Sequence, residues 1–188
     1  MTEYVNTRTQ LDEEQLQSKR EMAIEYIHQY WDNVRYTWEM QNPRVPFEDV
    51  EFLADNLDFH TRIWEASTSI LPNLEVQVVV DAKNKIHVSS GSAGYVSWQQ
   101  NPKGISVPIK CWIHTHPFGS AYFSGTDIRT VTAWQPLMET AYVLGGEGHY
   151  GHWNQDEPRQ LEIYQDHEFM RTQHFSFGNP TQLLEEEE

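Results

Sequence analysis

The chain has 188 residues and a formal net charge of −15, from 28 acidic against 13 basic residues. At 38% hydrophobic and 13% aromatic it can bury a core, which excludes wholesale disorder. So negative a surface argues against nucleic-acid backbones and anionic membranes as partners. The charge is unevenly spread. Residues 82–126 hold four lysines (Lys83, Lys85, Lys103, Lys110) and no acid, whereas the stretches before and after carry −10 and −9. The lone cysteine, Cys111, excludes an intramolecular disulfide framework. No apolar segment resembles a secretory signal or a spanning helix, so a soluble cytoplasmic protein is expected.

Residues 10–42 read as one amphipathic helix, with Met22, Ile24, Ile27, Tyr30, Trp31, Val34 and Trp38 at helical spacing. Asn42-Pro43 and Pro46 end it. The preferred reading packs this helix on the main domain; the alternative uses it to join a second copy or a partner. Further helical stretches are expected over Phe47–Leu57 and Thr61–Ile70, the latter stopped by Pro72. LEVQVVVDAKNKIHVSS reads as a β-hairpin about a polar turn at residues 82–85. Tyr95–Trp98 suggests a short strand. In IKCWIHTH, alternation sends Cys111 and Ile113 to one face and Trp112, His114 and His116 to the other, which makes Cys111 a core residue and not a nucleophile. Residues 125–135 suggest a helix, and ETAYVLGG and QLEIYQ two more strands. His149 and His152 read as turn histidines on a surface loop. An acidic tail closes the chain. The fold class is α+β, divided as an N-terminal helical extension (1–46), a main domain (47–178) and an acidic tail (179–188).

The chemistry concentrates in His114-Thr115-His116-Pro117, Ser124 and Asp127. Histidines at i and i+2 of a strand share a face and can reach one metal ion. Asp127, at the start of the next helix, can bring a carboxylate to the same place. Two imidazoles and a carboxylate are a three-ligand set for catalytic zinc, with water in the fourth position. Each fragment also has an ordinary explanation: Ser124-Gly125-Thr126-Asp127 is a helix capping box by pattern, and strand histidines are often hydrogen-bonded core residues.

His114-x-His116-Pro117 with Ser124 and Asp127 resembles the motif of the JAMM (MPN+, JAB-domain) zinc metalloproteases. The resemblance covers roughly residues 60–165 and departs in PFGSAYF, which has no second proline before Ser124. It implies an MPN/JAB-like, cytidine-deaminase-like fold, a mixed sheet flanked by helices. It also implies Zn²⁺ held by His114, His116 and Asp127, with Ser124 helping to hold the tetrahedral intermediate. A glutamate that follows the first helix and opens the first hairpin strand would be the general acid/base. Glu75 fits that place, and Glu65, in WEASTSI, is the rival. The implied reaction is hydrolysis of a peptide or isopeptide bond at the C-terminal tail of a ubiquitin-like protein. The segments available for ubiquitin-gripping insertions look short, which suggests the compact prokaryotic or viral type.

Two alternatives stand beside it. The RadC-like family of DNA repair and antirestriction shares H-x-H-P-x-G, matched here by Gly119, and its DNA would need the lysines of 82–126 as a basic strip. A non-catalytic MPN scaffold would keep the fold without the chemistry, although such relatives typically lose ligands and none is lost here. The acid-free stretch itself suggests a neutral-to-basic floor around the metal.

Overall fold

The computed structural model describes residues 12–51, 57–91, 104–156, 160–165 and 168–174. The expected strand at Tyr95–Trp98 and the acidic tail lie outside these residues. The first helix, α1 (Glu13–Gln41), begins at a capping box. The Asp12 carboxylate accepts from the Gln15 backbone N–H at 2.7 Å, and the Gln15 side chain accepts from the Asp12 N–H at 3.3 Å. Its buried residues Ala23, Ile27 and Trp31 recur every four positions and form one face of the helix. That face packs into the same core as Phe59 and Ile63 of α2 (Leu57–Glu65) and Val78 and Val80 of the sheet. α1 is thus a docked helix, as preferred.

The expected helix over Phe47–Leu57 is not formed as one element: Phe47–Asp49 makes a single 3₁₀ turn and Val50 is extended. The reason is a competing partner. The Asn84 side-chain amide donates to the carbonyls of Phe47 (2.6 Å) and Val50 (2.7 Å), and Lys110 Nζ donates to Val50 O at 2.8 Å. Leu57 belongs instead to α2, which begins four residues earlier than expected and continues into a π-turn, Ala66–Ile70, before Pro72.

The strands are β1 (Val76–Val80), β2 (Ile86–Ser90), β3 (Ile109–Thr115), β4 (Met138–Leu144), β5 (His149–Asn154), β6 (Gln160–Gln165) and β7 (Glu168–His174). They form one mixed sheet in the order β2-β1-β3-β4-β5-β6-β7. Every pair is antiparallel except β3–β4, which is parallel and joined through α3 (Gly125–Trp134). Helices α1 and α2 cover one face with Cys111, Ile113, Tyr142 and Leu144 beneath them. On the other face Ile128 and Val131 of α3 pack on Val79, Trp112, Ala141, Val143 and Trp153. This two-sided burial explains the near-continuous apolar runs of β1 and β4. Among the described residues no helix is long and apolar enough to cross a membrane.

Two strands depart from expectation. HYGHWN forms β5, so His149 and His152 are strand residues and not part of a surface loop. Gly151 hides the pattern because a side chain does not fit there: a Cβ would stand 2.8 Å from Val143 Cγ1 and 3.2 Å from Ala121 O. The second, β7, has no alternating apolar signal in EFMRTQH and is specified by pairing with β6.

Candidate metal centre

The site lies at the C-terminal end of β3, where the only parallel step among the described strands leaves the sheet for α3. His114 and His116 project from alternate positions towards the α3 face, and Asp127 meets them from the first turn of α3. Asp127 Oδ1 is 3.1 Å from His114 Nε2 and Oδ2 is 3.4 Å from His116 Nε2. One ligand atom from each residue lies within 4.8 Å of the others.

Whether these residues fit a metal can be tested on the donors. Ligands about 2.0–2.1 Å from a tetrahedral zinc stand about 3.3 Å from one another, close to the two observed separations. Both ring nitrogens of His114 are buried without a hydrogen-bond partner, although Nε2 stands so near Asp127 Oδ1. A buried, unsatisfied imidazole aimed at a carboxylate is costly as it stands, and a cation between the two would satisfy both. The set fits a divalent metal ion.

The surroundings fix each ligand. The His114 ring is stacked on Trp112 (centroids 4.4 Å, 13°) and met edge-on by Phe123 at 6.2 Å. Trp112 is held in turn by its Nε1–H, which donates to Gln77 Oε1 at 3.1 Å. His116 Nδ1 lies 3.3 Å from Ser120 O, so Nε2 faces Asp127. Asp127 is also the N3 residue of a capping box. Its carboxylate accepts from Ser124 N–H at 2.7 Å, and Ser124 Oγ accepts from Asp127 N–H at 3.3 Å. The capping pattern and the metal pattern therefore coexist in the same two residues. Burial works to raise the Asp127 carboxyl, but His114, then His116 and Ser124, outweigh it and hold the group far below the usual carboxylate range. Burial lowers His116, and the opposing effects of Asp127 and Glu75 leave it raised.

The two candidate glutamates separate cleanly. Glu75 is buried (6% exposed) immediately before β1, and its charge acts on His116. Its backbone is pinned on both sides. Val76 N–H donates to Thr115 Oγ1 at 2.9 Å, Thr115 donates to Ser67 Oγ at 2.9 Å, and Ser67 donates to Leu74 O at 2.6 Å. Gly91 N–H bonds the Glu75 carbonyl at 2.9 Å. Glu65 faces elsewhere: it accepts from Tyr26 Oη and lies 3.9 Å from Arg62, half exposed.

Four contributors escape the sequence reading. Ser67 and Thr115 form the anchor just described. Period-2 alternation does put Thr115 on the face opposite the histidines, a signal that it serves something other than the metal. Phe118 and Tyr122 stand out at 69% and 49% exposure, and the Tyr122 ring is 5.7 Å from His116. They are held out because Ala121 and Phe123 of the same loop are buried.

Two expectations are corrected, and that for Cys111 holds. His149 and His152 are strand and not loop residues: His152 stacks on Tyr142 (4.5 Å) on the α1/α2 face, and His149 Nδ1 lies 2.9 Å from Gly146 O. The described lysines of residues 82–126 build no basic floor at the site. Lys83 and Lys85 are at the β1–β2 turn, a strand's length (about 17 Å) from Glu75, because β1 runs from the site to the turn. Lys110 is used up on Val50 O and Asn84 Oδ1. Lys103 lies outside the described residues. Cys111 is fully buried on the opposite face, its thiol pushed up to about 12 by burial.

The chain matches no family model, no curated protein and no solved structure.

Proposed function

We propose that this protein is a zinc-dependent peptidase or isopeptidase of the JAMM (MPN+) type, hydrolysing a peptide or isopeptide bond at the C-terminal tail of a ubiquitin-like protein. The observation that carries the reading is the convergence of His114, His116 and Asp127 with the buried Glu75 beside His116. Zinc held by these three residues would polarise a scissile carbonyl and acidify a water molecule. Glu75 takes one proton from the attacking water on its carboxylate and returns it to the leaving nitrogen, as the C–O bond forms and the C–N bond breaks. Ser124 Oγ accepts from Asp127 N–H, which leaves its hydroxyl hydrogen available to donate to the substrate's carbonyl oxygen as negative charge builds there. Phe118 and Tyr122, exposed on the loop that follows His116, would present apolar surface to the substrate chain.

The test is metal content together with cleavage of a ubiquitin-like protein carrying a C-terminal peptide extension. One zinc per chain and hydrolysis are expected. Glu75→Gln should keep the zinc and lose about 10²–10⁴-fold in rate. Sub-stoichiometric zinc, or a Glu75→Gln protein as fast as the parent, refutes the reading.

A further inference from the structure

A second concave feature opens at the same end of the sheet, on the α2 face. It encloses about 320 Å³ between Leu57, His60 and Trp64 of α2 and Leu144, His149 and Tyr150 of the β4–β5 turn. In a chain with a net charge of −15, no described residue lining this cavity is Asp, Glu, Lys or Arg. Four of its nine described lining residues carry rings: His60, Trp64, His149 and Tyr150. His60 packs on Tyr142 at 4.7 Å and on Tyr150 at 6.1 Å, so the floor is braced from behind.

The cavity is joined mechanically to the metal centre. Leu144, which lines it, accepts the His116 N–H through its carbonyl at 2.8 Å, and Gly146 N–H donates to Gly119 O at 3.4 Å. Gly145, also in the lining, is pressed so closely on Ala121 that a Cβ would fall 2.4 Å from Ala121 N. The loop that carries His116 and the wall of the cavity are therefore one hydrogen-bonded unit. Both features lie beyond the carboxyl ends of the parallel pair β3–β4, where open α/β sheets place their ligands.

From this we infer that the cavity is a specificity pocket for an uncharged aromatic side chain of the polypeptide substrate, an inference that rests on the peptidase reading above. Ring walls favour an aromatic guest through stacked and edge contacts. A charged side chain would lose its hydration there with no opposite charge among the described lining residues. The volume is at the small end of ligand cavities, roughly 300–1,000 Å³, and admits one bulky side chain with its flanking backbone.

The test uses binding by the full chain, so it does not depend on turnover. N-acetyl-tyrosinamide, titrated into ¹⁵N-labelled protein, should shift the amides of Thr61, Trp64, Gly145 and Tyr150 saturably, with a dissociation constant of about 1 mM or tighter. N-acetyl-glutaminamide at the same concentrations should leave them in place. Thr61→Trp, which fills the cavity from an exposed helix position, should abolish the shifts while the rest of the spectrum is retained. Shifts that are absent, equal for the two amides, or undisturbed by Thr61→Trp would overturn the proposal. Saturable aromatic binding in a protein that holds no zinc would count against the peptidase reading alone.

Discussion

Asp127 has two employments, and a pair of substitutions separates them. As the N3 member of the capping box, with Ser124 as the N-cap, it stabilises the start of α3; losing such a cap costs about 1 kcal/mol. As a proposed ligand it would let zinc bind the folded chain, and free zinc at 100 times its dissociation constant would add about 2.7 kcal/mol. For a chain of this size about 1 kcal/mol moves the melting midpoint by roughly 2–4 °C. Zinc should thus raise the parent's midpoint by roughly 5–10 °C over the chelator-treated protein. Ser124→Ala should lower the zinc-free midpoint by roughly 2–4 °C and keep the zinc increment. Asp127→Ala should lower the zinc-free midpoint at least as far and lose the increment. Scanning calorimetry of the three proteins, each with and without zinc, reads all six values. If Asp127→Ala keeps the parent's increment, the carboxylate is a cap and nothing more, and the metal centre is wrong.

Three further outcomes follow from the same coordinates. Asp81 is buried and accepts from the N–H groups of Lys83, Lys85 and Ser106, beside His87 Nε2 at 3.0 Å. Burial works to raise its carboxyl, but His87 and these donors outweigh that and hold it below the usual range. Its contribution is therefore present above the unfolded value, about pH 3.9, and lost as acid takes the pH down through the folded value. Urea midpoints from pH 7 to pH 2.5 should show that loss, and Asp81→Asn should flatten it in part, Asp127 supplying the remainder. Gly145→Ala must displace Ala121, whose backbone N would lie 2.4 Å from the new Cβ. It should cost about 1–3 kcal/mol in urea unfolding and weaken zinc binding, because the displaced loop carries His116. Cys111, fully buried with its thiol near 12, should resist iodoacetamide at pH 8 in the native protein and react on unfolding, as followed by mass spectrometry.

The parts of the site that follow from local rules were legible in the sequence. Period-2 alternation puts His114 and His116 on one face of β3, and the capping pattern puts Asp127 in the first turn of α3. Nothing further is needed to bring the three together once β3 and α3 adjoin. The choice between Glu75 and Glu65 depended on distant contacts. Glu75 is steered inward by Thr115 and Ser67, 39 and 48 positions apart from their respective partners in the bonds that hold it. Strand β5 was illegible because the close approach of Val143 and Ala121 demands a glycine where a periodic pattern wants a side chain. The failure of the Phe47–Leu57 helix is of the same kind, a local propensity overridden by Asn84 and Lys110 reaching in from the sheet.

Register also decides what the charge asymmetry means. The pairing Gln77↔His114 and Val80↔Cys111 runs β1 away from the metal centre, so the hairpin turn and its two exposed lysines fall at the far end of the sheet. An acid-free stretch of sequence therefore does not make a basic surface at the site. The charged residues described around the histidines are Asp127 and Glu75, with Arg129 reaching back to Thr126 at the start of α3, and the exposed Tyr122 ring stands 5.7 Å from His116. A polyanion approaching this site meets the field of a chain at −15, and the cation nearest Asp127 in sequence is Arg129, whose guanidinium donates to Thr126 Oγ1 at 3.1 Å. Under the proposed peptidase reading, a polypeptide tail with apolar side chains would meet the exposed rings of Phe118 and Tyr122 on the loop after His116.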